Sequence, residues 1–377
     1  MMRVKKYNIQ LMAACVLCAG LALPLHAQQE VVYTVEQCRQ MALEHNAKIK
    51  NAKNNIAGSE ETSKDAHTNY YPKVSANVNG FAADKGALKM VLGPGMEMSL
   101  LKKGVMAGVT AVQPVYTGGQ IRNGNKLAKV GVDVSRLQLE QAQNEVQVTA
   151  EQYFWQVVTL QEKLKTVNAV DTMLQALDKD VQMAVKAGLV MRNDLLQVQL
   201  KRNEIASTRI KLGNGIAVSK MLLAQYIGVD STAFTLSADI PEKGLPAAPD
   251  ELYRRPDASL LLTPEYRLLQ KNIEANVLQQ KLTAGKQLPT VGIGASYMYH
   301  NILDTDRAFG MVFATVSVPI SDWWSGKHAI KQKQLQVINA RNDLEDKSQL
   351  LMIRMQKAWD DVTDAYKQLA IARKSIE

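Results

Sequence analysis

The chain has 377 residues, 46% of them hydrophobic and 21% charged, and a formal net charge of +9. That balance excludes a disordered polymer and a many-helix membrane protein. Lysines and arginines are spread among acidic residues, without a basic block or interleaved aromatics, which excludes the usual nucleic-acid footprint.

At the start, Arg3, Lys5 and Lys6 precede the apolar run "LMAACVLCAGLALPL", and Leu25-His26-Ala27 offers a small-residue cleavage site. Residues 1–27 therefore read as a cleavable signal peptide and the chain as exported. A lipoprotein reading through Cys15 or Cys18 would leave "LALPLHA" inside the mature protein. Cleavage lowers the net charge to +6 and leaves Cys38 alone, so no intramolecular disulfide can form. Beyond the leader no apolar run approaches the roughly 20 residues of a membrane helix, so any crossing would be made by strands.

A helix is expected from Thr34 to about Asn69, with Thr34 as N-cap and Gln37 at the capping-box position. A strand follows at about Lys73 to Ala82, where Val74, Ala76, Val78 and Gly80 alternate with Ser75, Asn77 and Asn79. After a long loop, "ADKGALKMVLGPGMEMSLLKKG", a second strand runs from about Val105 to Gln113 and stops at Pro114, Gly118 and Gly119. From about Gly119 to Ala187 there is no proline, and Tyr153, Val157, Leu160, Leu164 and Val167 step by fours and threes. Val170, Leu174, Leu177, Val181 and Ala184 continue this heptad seam. A helix of about 70 residues would be about 100 Å long, too long for a compact domain to enclose. It should break at "KAGLVMRNDLLQ", where Gly188 can take a positive φ and Asn193 or Asp194 can cap a return helix to about Ile227.

A Pro-, Asp- and Ser-rich linker follows, with one short strand or helix in it, then a helix from about Pro264 to Lys286. Strands at Val291 to His300 and Met311 to Val318 come next, and a glycine turn and long helix close the series. Pro72 matches Pro289 and Pro114 matches Pro319, so the chain reads as one unit duplicated. The expected organisation is signal peptide 1–27, first repeat 28–227, linker 228–262 and second repeat 263–377. At about 8–10 residues the four strands are close to the roughly 9–11 that a tilted transmembrane strand needs. The same alternation also fits a soluble β-sandwich edge.

The pieces "TVEQCRQMALEHNAKIKNAK", "YYPKVSANV", "VQPVYTGGQI", "AGLVMRNDLLQVQ", "QLPTVGIGAS" and "VSVPI" resemble, in the same order, the TolC-like outer-membrane efflux protein family. The resemblance implies a mainly helical fold with β structure, in which long antiparallel helical hairpins form a tunnel. It implies a homotrimer whose subunits each give four strands to one transmembrane barrel in the lipid of the outer membrane. Such a duct docks a periplasmic adaptor and an inner-membrane transporter, for efflux or type I secretion, and passes substrates without chemistry. Gly188, Leu189 and Asp194 match the family's adaptor-docking tip. Pro114, Gly118, Gly119, Pro319 and Gly326 mark the points where a barrel strand hands over to a tunnel helix. The alternative is an exported coiled-coil adaptor or scaffold.

The second handover departs from the pattern: "PISDWWSGKH" stands where the first has "PVYTGGQI". Trp323 and Trp324 are candidate membrane-interface aromatics, with filling of space between helices as the alternative. The interval from Gly119 to Gly188, counted from Gly326, runs past Glu377, so the second repeat is expected to be incomplete and no gating residue is assigned.

No catalytic, metal or cofactor site is expected. His45, His67, His300 and His328 lack metal-ligand spacing, the chain has no G-x-S-x-G, H-E-x-x-H or P-loop, and Cys38 reads as a small packed residue.

Overall fold

The computed structural model describes residues 31–84, 88–93, 96–100, 103–238, 244–302 and 305–376, and the signal-peptide reading lies outside them. In chain order the first elements are β1 (Val31–Tyr33), α1 (Val35–His45), α2 (Ala47–Thr68), β2 (Lys73–Ala82), β3 (Leu88–Gly93), β4 (Met96–Leu100) and β5 (Lys103–Thr117). Then come α3 (Gln120–Lys186), α4 (Arg192–Ile227), β6 (Phe234–Leu236), a 3-10 turn (Pro249–Leu252) and α5 (Pro256–Leu260). The last are α6 (Pro264–Gly285), β7 (Thr290–Ile302), β8 (Thr305–Ser317) and α7 (Asp322–Lys374). The fold is mainly helical, with antiparallel sheet. Two compact units interleave along the sequence: Met1–Asn46 with Val146–Ile240, and Ala47–Glu145 with Pro241–Glu377.

In the first unit, Thr34 starts α1 with a reciprocal cap. Its hydroxyl accepts from the Gln37 N–H at 3.3 Å, and the Gln37 side chain accepts from the Thr34 N–H at 2.9 Å. The expected single helix to Asn69 is broken, because Asn46 adopts an extended backbone (φ −63°, ψ 131°) that ends α1 and lets α2 restart at Ala47. Cys38, Ala42, Phe154, Val157, Leu223 and Ile227 form the core of this unit. The short parallel pair β1–β6 sits beside it, with Tyr33 edge-on to Phe234 at 5.5 Å. Gly228 closes α4 at φ +76°, where a Cβ would meet the His45 Cβ at 2.6 Å, so only glycine fits.

The seam of the α3/α4 hairpin is not wholly apolar as expected. Leu177 is 42% exposed, and its neighbour Asp178, at 5%, takes the inward place. The reason is a partner: Arg202 on α4 donates to Asp178 at 2.6 Å, and one heptad along Arg209 approaches Asp171 at 3.7 Å. Both pairs satisfy the same antiparallel register, so an acid inside the seam is neutralised rather than stranded.

In the second unit, α2 is tied to the early part of α3 by Ser59–Ser135 at 2.7 Å and Arg136–Glu60 at 3.0 Å. Likewise α6 is tied to it by Lys271–Asp133 at 2.8 Å and Arg267–Glu140 at 3.0 Å. The Lys271 ammonium is pushed above its ordinary pKa chiefly by its hydrogen bond to Asp133. Four strands form one antiparallel sheet in the order β2-β5-β7-β8. Three corrections apply here. Strand β8 begins at Thr305 rather than Met311, because residues 305–310 continue the pairing with β7 out to Ile302. The strand expected to stop at Pro114 runs on to Thr117, because the register against β7 shifts between Pro114 and Tyr116. A bulge there accommodates a residue with no N–H to give. The segment expected to be a loop before it contains the antiparallel pair β3–β4.

Candidate functional site

Side chains alternate along each strand, so the register sorts the sheet into two faces. Val74 pairs with Ala111, Ala111 with Ala295, and Ala295 with Val312; Val78 pairs with Ala107, and Val109 with Tyr297. This face is apolar across all four strands, apart from Gln113 and the strand ends, and it is open. Val312 is 86% exposed, Val78 72% and Val74 67%. In water such a surface would be costly, at about 25 cal/mol per Å² of apolar area.

The other face carries the polar Ser75, Asn77, Asn79, Thr110 and Ser296, with Phe309, Met311 and Phe313 on β8, and glycines lying under bulky neighbours. A Cβ on Gly294 would meet the Phe313 ring at 2.5 Å, and one on Gly104 the Phe81 ring at 3.0 Å. Met298 covers Gly108 in the same way, at 3.3 Å. Large side chains over cross-strand glycines pin the register of a curved sheet.

The two strand-to-helix handovers meet on one short segment. Gly118 (φ +61°) and Gly119 (φ +77°) turn the chain from β5 into α3, a conformation that side chains resist. A Cβ on Gly118 would meet the Gly285 carbonyl oxygen at 2.3 Å, and one on Gly285 the Gly118 oxygen at 2.5 Å. At the other handover, Pro319 lies between β8 and α7, and Gly326 lies under the Gln287 side chain, which a Cβ would meet at 2.1 Å. Trp323 Nε1 donates to the Gln287 carbonyl at 2.9 Å, so this tryptophan ties the junction together, while Trp324 is 81% exposed. Gly285 and Gln287 were missed in the sequence. The only signal was the "AGKQLP" that ends α6, which has no local mark of a partner more than 160 residues away.

At the hairpin turn, α3 ends in a Schellman arrangement. The Gly188 N–H donates to the Val185 oxygen at 3.0 Å and the Leu189 N–H to the Ala184 oxygen at 2.9 Å, with Gly188 at φ +74°. Leu189 is 79% exposed and Met191 76%. Asp194 is not the N-cap, because α4 begins at Arg192 and Asn193 lies inside it. Instead the Asp194 carboxylate accepts from the Met191 N–H at 3.1 Å and braces the turn.

No family model and no curated protein matches the sequence, but the backbone matches solved ones. The outer-membrane protein VceC of Vibrio cholerae superposes with a TM-score of 0.71 at 14% identity, over 90% of this chain and 80% of that one. CusC, described as forming a transmembrane channel, gives 0.69 at 13%, over 92% and 81%. The Campylobacter jejuni outer-membrane channel CmeC gives 0.67 at 13%, over 90% and 76%. The chain has the fold of outer-membrane channels.

Within this channel fold, no helix among the described residues is long and apolar enough to cross a membrane. No group of three or more His, Cys, Asp or Glu among them could hold a metal ion. His67 packs against Tyr70 and Tyr71, and Cys38 is fully buried, its thiol pushed up to about 11 by burial.

Proposed function

We propose that this chain is a subunit of an outer-membrane channel, the exit duct of a tripartite efflux or type I secretion system. The open apolar face of the four-stranded sheet carries this reading. A surface apolar across all four strands, in which Val74, Val78 and Val312 are left bare, is suited to lipid. Strands β2 and β8 are the sheet's edges, and unpaired edges in lipid are prohibitively costly. Closure by further copies removes them. Three subunits, each giving four strands, make a twelve-stranded barrel, larger than the eight strands of the smallest bacterial barrels.

The order helix, strand pair, long helix occurs twice, which supports an internal duplication with repeats at 28–227 and 263–377 and a linker between them. In this reading residues 83–103 face the exterior, and Trp324 sits at the membrane boundary on the periplasmic side. The Gly188 turn lies in the periplasm, where exposed Leu189 and Met191 suit docking of an apolar adaptor tip, with Asp194 holding the turn. The duct takes cargo from an inner-membrane transporter and uses no cofactor.

Fractionation tests the reading. The full-length protein should stay in the outer membrane after an alkaline carbonate wash; release into the wash with the soluble periplasmic proteins would refute it.

A further inference from the structure

We infer that the polar face of the sheet favours anionic cargo, and that Arg307 and Lys73 set this preference. The inference rests on the channel reading, in which the apolar face meets lipid and the polar face therefore lines the lumen.

The four strands carry four charged residues in all: Lys73, Lys103, Asp306 and Arg307. Register assigns each to a face. Lys103 pairs with Ala82 and Asp306 with Asn301, which places both on the apolar side at its outer end. There Asp306 is occupied, accepting from the Tyr299 hydroxyl at 2.9 Å and from the Asn301 amide. Lys73 pairs with Val112 and Arg307 with His300, which places both on the polar face. That face of the four strands therefore holds two cations and no carboxylate.

The two cations sit at opposite ends of it. Lys73 opens β2 at the helix end, and Arg307 ends the row Asn79–Met106–His300–Arg307 near the β7–β8 turn. Between them lie Ser75, Asn77, Thr110 and Ser296, which can solvate an ion of either sign, interspersed with the apolar Met298, Phe309, Met311 and Phe313. Fixed charge of one sign in a channel with low-dielectric walls concentrates counter-ions, by ten-fold or more in favourable cases. Three copies would put six cations on the lumen wall. At about 0.15 M salt the screening length is about 8 Å, so the bias should strengthen as salt is lowered.

The test is the reversal potential of the purified full-length protein in a planar bilayer, under a potassium chloride gradient at low salt. The wild type should pass chloride in preference to potassium. Arg307→Lys should keep that ratio, whereas Arg307→Glu combined with Lys73→Glu should lower it by roughly threefold or more. An unchanged ratio in the double variant, or a cation-selective wild type, would overturn the inference while leaving the channel reading intact. A protein that passes no ions would overturn both.

Discussion

Phe154, Val157, Leu223 and Ile227 are fully shut away from solvent in the helical unit, whereas Val74, Val78 and Val312 in the sheet are 67–86% exposed. The residues are of the same kind; what differs is whether the chain supplies their cover. The helices cover this part of their apolar surface within one subunit and bring Arg202 to the inward Asp178, although Leu200, Ile210 and Ile353 stay exposed on them. The sheet leaves a whole face and two edge strands to surroundings outside the subunit. Buried apolar positions thus define the fold, and bare ones define what the fold is for.

The largest effect that would sharpen this contrast is in the helical core. Phe154→Ala should cost about 3–5 kcal/mol and visibly lower the Tm, whereas Val312→Ala should change it little in detergent. Charge then separates the two faces of the sheet. Val312→Arg should cost about 2–4 kcal/mol per subunit near the bilayer midplane and deplete folded protein from the outer membrane, while Asn77→Arg on the opposite face should be tolerated. Equal outcomes for these two would break the comparison.

A smaller loss is expected from Arg202→Met, which leaves Asp178 inside the hairpin seam without its cation. Because Arg202 is partly exposed, about 1–3 kcal/mol is expected by thermal melting, with Arg209→Met costing less across its longer 3.7 Å pair. The smallest effect at neutral pH concerns Cys38. Burial raises its thiol from 9.0 to about 11, so the folded state holds the proton more tightly than the unfolded state. That contribution is fully present below pH 9 and is lost as pH rises through 11. A Cys38→Ala variant should lack this alkaline loss, and maleimide should label the wild type at pH 8 only on unfolding.

Local rules made much of the fold legible. The Thr34–Gln37 cap, the bounds of β2 from its period of two, and the Gly188 turn from a glycine ending a proline-free run all rest on interactions within a few residues. The misreadings have long-range causes. Asp178 displaces Leu177 because Arg202 waits on another helix, and Pro114 is carried within β5 because β7 accepts a bulge opposite it. The reciprocal approach of Gly118 and Gly285 depends on residues distant in sequence. At the candidate site, the two faces of the sheet could be read from alternation alone. The apolar face could not be seen to stand open until the packing left Val74, Val78 and Val312 bare among the described residues.

The central claim is that the open sheet is completed by other copies in a membrane. Mass measurement of the full-length protein, extracted from outer membranes in mild detergent, tests it most directly. The account predicts a trimer that resists dissociation until heated and loses its β signal as it separates. A stable monomer that retains its β signal in detergent would contradict it.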